Sequence, residues 1–220
     1  MKMAENSQLF PTTEFVETDS FSFERELFRQ GFALVAGTDE AGRGPLAGPV
    51  VAACVILPEG CDFTQFKDSK KTTLKERVRL YDLLLEIGAD IGVGYGSVED
   101  IARINILQAS LLAMKRSVES LAAKPDYLLV DGKFPVPLFI AQKSLVKGES
   151  RSASIAAASI VAKQERDLLM KKYHQQYPRY NFARHKGYPT AEHRALLKKY
   201  GPCEIHRRTF KGVREHLVNG

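Results

Sequence analysis

The sequence predicts an α/β protein: a mixed β-sheet with helices on both faces, followed by a C-terminal helical part. Three observations carry this. Short apolar runs of strand character alternate with longer segments of helical period. The first two strand-like runs lie too close together for a crossover helix, which makes the sheet mixed rather than all-parallel. From Pro178 onward, polar turns and short helical stretches take over.

Residues 1–20 show no sustained period and are expected to be a flexible tail, with a mixed α/β core over 21–177 and a basic helical extension over 178–220. Ser22 reads as the N-cap of a short helix, with Glu24 and Glu26 in its first turn and Gly31 at its end. Residues 32–38 read as a strand, followed by a glycine-rich turn and a second strand over 50–57. A helix over 72–87 places Leu74, Val78, Tyr81, Leu84 and Leu85 on one side. Residues 91–98 alternate loosely around three glycines, and 104–121 form another amphipathic helix. A short apolar strand is expected at 127–130. Another is expected at 135–141, where prolines favour a sheet edge. The longest helix spans 152–173.

The 220 residues carry a net charge of +6 and are 44% hydrophobic, which excludes a disordered or fibrous chain. The surplus is local: residues 1–30 contribute −3, 31–162 contribute 0, and 163–220 contribute +9. All five histidines also lie in that last stretch. A basic end on a neutral body points to a polyanionic partner, above all nucleic acid. No stretch approaches the ~18 apolar residues of a membrane helix, and the N-terminus has no signal-peptide core. Three cysteines without a CxxC pair fit a reducing cytoplasm.

Chemistry concentrates at strand ends. Gly37–Pro45 begins like a phosphate loop but lacks the Lys-Ser/Thr pair. Gly42-x-Gly44-x3-Gly48 misses the dinucleotide fingerprint, and a strand follows where a helix should open. What remains is a carboxylate pair, Asp39 and Glu40, which neighbouring strand positions would send to opposite faces unless the pleat breaks. The glycines of Ala41-Gly42-Arg43-Gly44 supply a break; a solvated turn capped by one acid is the plainer alternative. Asp131 ends a second apolar strand before Gly132, as many ordinary turns also do. Asp167 lies on or beside the inward face of the long helix, where it must be paired, with Lys163 or Arg166, or bind a metal. Four carboxylates on a sheet rim of a basic protein suit Mg²⁺ or Mn²⁺, and no zinc pattern is present. Metal-assisted phosphodiester hydrolysis by two ions ~4 Å apart is the matching chemistry.

Asp39-Glu40-Ala41-Gly42-Arg43-Gly44-Pro45-Leu46-Ala47-Gly48-Pro49-Val50-Val51 resembles the signature of the bacterial type 2 ribonucleases H, the ribonuclease HII family. Asp68-Ser69-Lys70-Lys71, Asp131-Gly132, the stretch 147–167 and His185-Lys186-Gly187-Tyr188-Pro189-Thr190 occur in the family's order, and the similarity runs from about Glu24 to Arg214. The resemblance implies a ribonuclease H-like core in a monomer. Its catalytic and metal-ligating acids would be Asp39, Glu40, Asp131 and Asp167. It implies cleavage 5′ to ribonucleotides embedded in duplex DNA, and of the RNA strand of RNA–DNA hybrids, leaving 3′-hydroxyl and 5′-phosphate ends. By the same resemblance Gly42, Arg43 and Gly44 read the 2′-hydroxyl with backbone groups, and Tyr188 stacks on the sugar beyond the junction. Lys70, Lys143 and Lys147 would contact phosphate, and His185 would bind phosphate or aid proton transfer. Glu149 stands where the family more often has Asp, and residues 207–211 show no clamp-binding pattern of the kind seen in some relatives. A DNA-cutting nuclease of the same superfamily and a non-catalytic nucleic-acid-binding protein are the competing readings.

Overall fold

In the computed structural model, which describes residues 19–66 and 72–217, strands β1 (Val35–Ala41) and β2 (Val50–Ile56) pair antiparallel, as their short connection demands. Strand β3 (Asp90–Gly96) extends the sheet beyond β2, while β4 (Tyr127–Asp131) and β5 (Ala141–Leu145) add parallel strands beyond β1. The order β3-β2-β1-β4-β5 therefore puts β1 at the centre, between its antiparallel and parallel partners.

Helix α1 (Ser22–Arg29) precedes the sheet, α2 (Leu74–Glu86) joins β2 to β3, α3 (Val98–Glu119) joins β3 to β4, and α4 (Ala153–Gln176) follows β5. Two short helices, α5 (Phe182–His185) and α6 (Ala191–Tyr200), complete the chain. One sheet face, with Ala36, Val50, Ala52, Leu128 and Val130, packs on α3 through Ala109, Ala113 and Met114. The other, with Ala53 and Val55, packs on α2 and on the alanine-rich face of α4. The C-terminal part has its own apolar cluster of Tyr180, Phe182, Cys203 and Ile205, closed by Ala47 and Met170.

Close approach is written into the glycines. A Cβ at Gly92, Gly94 or Gly96 would run into α3 at Ser117, Ala113 and Ala109 respectively. Two strand residues advance ~6.6 Å and four helical residues ~6 Å, so the two spacings keep step along the interface. Gly37 plays the same part on the opposite face, where a Cβ would strike the backbone of Ser154 and Ile155 at the start of α4. Gly37→Ala is expected to cost about 3 kcal/mol by overpacking against unyielding backbone, read by urea denaturation; an unchanged midpoint would refute this contact.

Several expectations shift. β1 starts later and runs through Asp39 and Glu40, which pair regularly with Ala53 and Ala52, so the pleat does not break between them. The turn comes at Gly42 (φ +98°). Residues 33–34 are instead held by Asp126, whose carboxylate accepts from the amides of Ala33 and Leu34, and the Phe32 amide donates to the Leu27 carbonyl. The strand expected at 135–141 lies at 141–145: Pro135 and Pro137 have no N–H to offer a ladder, and the Gln142 side chain engages the Val136 backbone. Phe21, not Ser22, occupies the N-cap of α1. α3 begins at Val98 under a Ser97–Asp100 capping box and breaks at Asn105 (φ 67°), which hid its first turns from the periodic pattern. Of the tail expected over 1–20, residues 1–18 lie outside the described residues.

Candidate active site

The parallel pairing of β1 with β4 ends at Thr38↔Val130, and one step further along each strand stand Asp39 and Asp131. Strand alternation puts Asp39 on the face of Gly37, which is covered by α4, where the Ser159 hydroxyl bonds its carboxylate. The Glu40 amide donates to Asp39 Oδ1 at 2.7 Å. Asp131 Oδ1 accepts from the Gly148 amide at 2.6 Å, in a tight turn introduced by Lys147 with φ 57°. Burial drives the Asp39 carboxyl well above its usual range, and the charges of Glu40 and Asp131 add to this. Glu40 is raised to about 7, by burial first, then by Asp131, against the opposing charge of Arg43 at 3.3 Å.

The fourth acid is differently placed. Asp167 is buried on α4, with Lys163 Nζ 2.6 Å from Oδ1 and Arg77 Nη2 of α2 3.1 Å from Oδ2. Lys163 is one of the two partners expected from the sequence; Arg166 points elsewhere. Among the described residues, no three His, Cys, Asp or Glu side chains stand close enough to hold one ion as placed. Asp39, Glu40 and Asp131 thus feel one another's charge at the rim, and Asp167 is engaged in ion pairs. The donor set nonetheless fits a hard divalent cation: it is all oxygen, and a cation would relieve the repulsion that burial magnifies.

Beside the acids, the Gly42–Gly48 loop rests on two guanidiniums that are almost wholly buried. Arg207 donates to the carbonyls of Gly42, Arg43 (2.8 Å) and Gly48 (2.9 Å). Arg166 donates to Ala47 (3.2 Å), Pro49 (3.3 Å) and Lys186 (3.0 Å). A side chain at Gly42 would occupy the space of the Arg166 guanidinium, so residue 42 is confined by contact as well as by its positive φ. Arg43 and Gly44 remain exposed. Tyr188 is 40% exposed, its ring 5.8 Å from Arg166 Cζ, and a Cβ on Gly44 would lie 3.9 Å from it.

A profile of the family described as Ribonuclease HII matches residues 36–213. The Ribonuclease HII of Desulfotalea psychrophila is 54% identical over 212 residues, 95% of this chain and 94% of that one. The chain belongs to the ribonuclease HII family. As a family member it is an endoribonuclease, a hydrolase of the ribonuclease H type. A crystal structure of ribonuclease H2 from Pyrococcus horikoshii shares the fold with a TM-score of 0.67 and 27% identity, over 83% of this chain and 96% of that one. Bst-RNase HIII, solved in complex with Mn²⁺, matches with a TM-score of 0.63 at 19% identity, over 83% of this chain and 68% of that one.

The remaining candidates divide. Lys147 is exposed at the Asp131 turn, whereas Lys143 on β5 is half-buried over the Phe23 ring at 5.5 Å. Burial, with Arg151 nearby, lowers the Lys143 ammonium. Lys70 lies outside the described residues. His185 is buried, with Nε2 2.6 Å from the Tyr180 carbonyl and Nδ1 accepting from the Gly187 amide at 3.2 Å, so both ring nitrogens are taken up by the backbone instead of standing free for phosphate. Sequence reading passed over Arg77, Arg207 and the anchoring role of Arg166. The one available signal was Arg166 sharing a helical face with Ala162 and Met170, both buried.

Proposed function

We propose that the chain is a metal-dependent endoribonuclease that cuts 5′ to ribonucleotides embedded in duplex DNA and cuts the RNA strand of RNA–DNA hybrids, leaving 3′-hydroxyl and 5′-phosphate ends. The observation that carries this is the adjacency of two parts: crowded carboxylates at the rim, and a glycine loop held by its carbonyls beside an exposed tyrosine. Asp39, Glu40, Asp131 and Asp167 would hold Mg²⁺ or Mn²⁺, the last on release from Lys163 and Arg77. Bound there, a divalent ion supplies an activated water and charge stabilisation at the leaving oxygen. The Mn²⁺ complex of the ribonuclease HIII neighbour supports the choice of ion.

The chain's own groups account for selectivity. With the Gly42 and Arg43 carbonyls claimed by Arg207, the loop is rigid enough to meet a 2′-hydroxyl at one fixed distance. Tyr188 presents a flat apolar face for the next sugar and a hydroxyl for the same polar network. Lys147 and the basic residues beyond 163 supply phosphate affinity independent of sequence.

A duplex with one embedded ribonucleotide, incubated with Mg²⁺ or Mn²⁺, should be nicked on its 5′ side, leaving an end that a polymerase extends. Chelation should stop the reaction. An equal rate on the all-DNA duplex would overturn the proposal in favour of a DNA-cutting nuclease.

A further inference from the structure

Tyr188 sits at the end of a strained turn. Lys186 (φ 51°) and Gly187 (φ 81°) both adopt left-handed conformations, so this backbone needs external support. Support is dense. The Lys186 carbonyl accepts from Arg166, the Gly187 carbonyl from the Leu46 amide (2.8 Å), and the Tyr188 amide donates to the His185 carbonyl (2.9 Å). The Tyr188 carbonyl accepts from the Thr190 amide at 2.8 Å and lies 3.0 Å from His193 Nδ1.

Proton positions in the adjoining histidines follow from the backbone. The Cys203 amide lies 2.9 Å from His206 Nδ1, and an amide can only donate, so that nitrogen is bare and the proton sits on Nε2. His206 Nε2 is 3.1 Å from His193 Nε2, which must therefore accept. The His193 proton is then on Nδ1, aimed at the Tyr188 carbonyl. His185 obeys the same logic: it accepts from Gly187 at Nδ1 and donates to Tyr180 from Nε2. The rings of His185 and His193 stack at 4.3 Å, and all three histidines are buried.

We infer that His193, oriented by His206, is a positioning residue for Tyr188, and so sets how this enzyme reads the sugar at the cleavage junction. The inference rests on the proposed role of Tyr188. Every link requires neutral imidazole, because a second ring proton would face an amide hydrogen or another donor. The surroundings enforce neutrality: burial above all lowers His193 to about 4 and His206 to about 3, with further lowering from neighbouring histidines. Among the described residues, Glu192 opposes that lowering and Arg184 and His174 add to it, while the Cys203 thiol lies 3.1 Å from His206 Nδ1, the nitrogen already bare.

The test is a double-mutant cycle on the full chain, with kcat and KM measured on the single-ribonucleotide duplex. His193→Leu should lower kcat/KM about tenfold, the scale of one lost buried hydrogen bond. His193→Asn, which keeps a donor at the Nδ1 position, should recover most of it. Combined with Tyr188→Ala, His193→Leu should add nothing further, since both act through one side chain. Additive losses would overturn the inference while leaving the role of Tyr188 intact. A Tyr188→Ala enzyme as active as the parent would overturn that role and the inference together. Nitrogen-15 histidine spectra of the parent need no variant: protons on His193 Nδ1 and on His206 and His185 Nε2 are expected, and any other set refutes the chain.

Discussion

Asp39→Asn should lower cleavage by about 10³-fold or more, the scale of losing a principal charge-stabilising group, and should make the metal-free protein more stable at pH 8. The two effects have one cause. Asp39 is buried beside Glu40 and Asp131, so its carboxyl ionises only at raised pH. A carboxyl whose folded pKa lies above its unfolded value favours the fold at low pH, and that contribution is lost as pH rises through the folded value. The parent should therefore lose stability relative to the variant as pH rises above the ordinary carboxylate range, with Tm differing by about 2–4 °C for each kcal/mol in a chain of this size. Added Mn²⁺ should raise the parent's Tm and barely move the variant's, because a ligand stabilises only the state that binds it. A variant that keeps turnover, or one less stable than the parent at pH 8, would remove Asp39 from the metal site.

Arg207→Met is expected to cost about 3–5 kcal/mol, comparable to breaking a buried charged network. Three main-chain carbonyls, those of Gly42, Arg43 and Gly48, would lose their donor, the first and last of them in buried surroundings. Burial and the neighbouring Arg166 charge lower Arg207 to about 9, which leaves it cationic at neutral pH, so its charge is balanced by carbonyl dipoles. Arg207→Lys keeps the charge but not the planar fork, and should recover only part of the loss. Urea denaturation reads the stability. kcat/KM on a single-ribonucleotide duplex should fall in step, while residual nicking should turn less selective for the ribonucleotide. A lysine variant equal to the parent would show that charge alone, and not the directed bonds, supports the loop.

The acids were legible because strand ends followed by glycine are visible in one dimension. Asp39 and Asp131 stand at the ends of readable strands, Asp167 stands on or beside the inward face of a readable helix, and the family's motif order joined them. The guanidiniums beneath the loop were not. Arginine is so seldom fully buried that nothing in a sequence marks Arg207 as different from Arg208 beside it. His185 misled for a related reason: a histidine in a motif suggests chemistry, whereas here its ring closes a turn. The last strand was displaced because prolines suggested an edge, and the edge strand in fact begins after them. Arg77 reaches Asp167 from another helix, a pairing that only the packing of α2 on α4 creates.

The support of the glycine loop by Arg207 also bears on the order in which the enzyme comes into being. All four acids have been synthesised once residue 167 has left the ribosome, yet the loop's support waits forty residues longer. On the roles proposed above, the parts that cut are therefore made before the parts that choose. Those choosing parts close through long-range bonds, from Leu46 to Gly187 and from Arg207 to Gly42. Such contacts form late because loop-closure entropy must be overcome first. On the proposed roles, discrimination would be the last property the chain acquires as it folds.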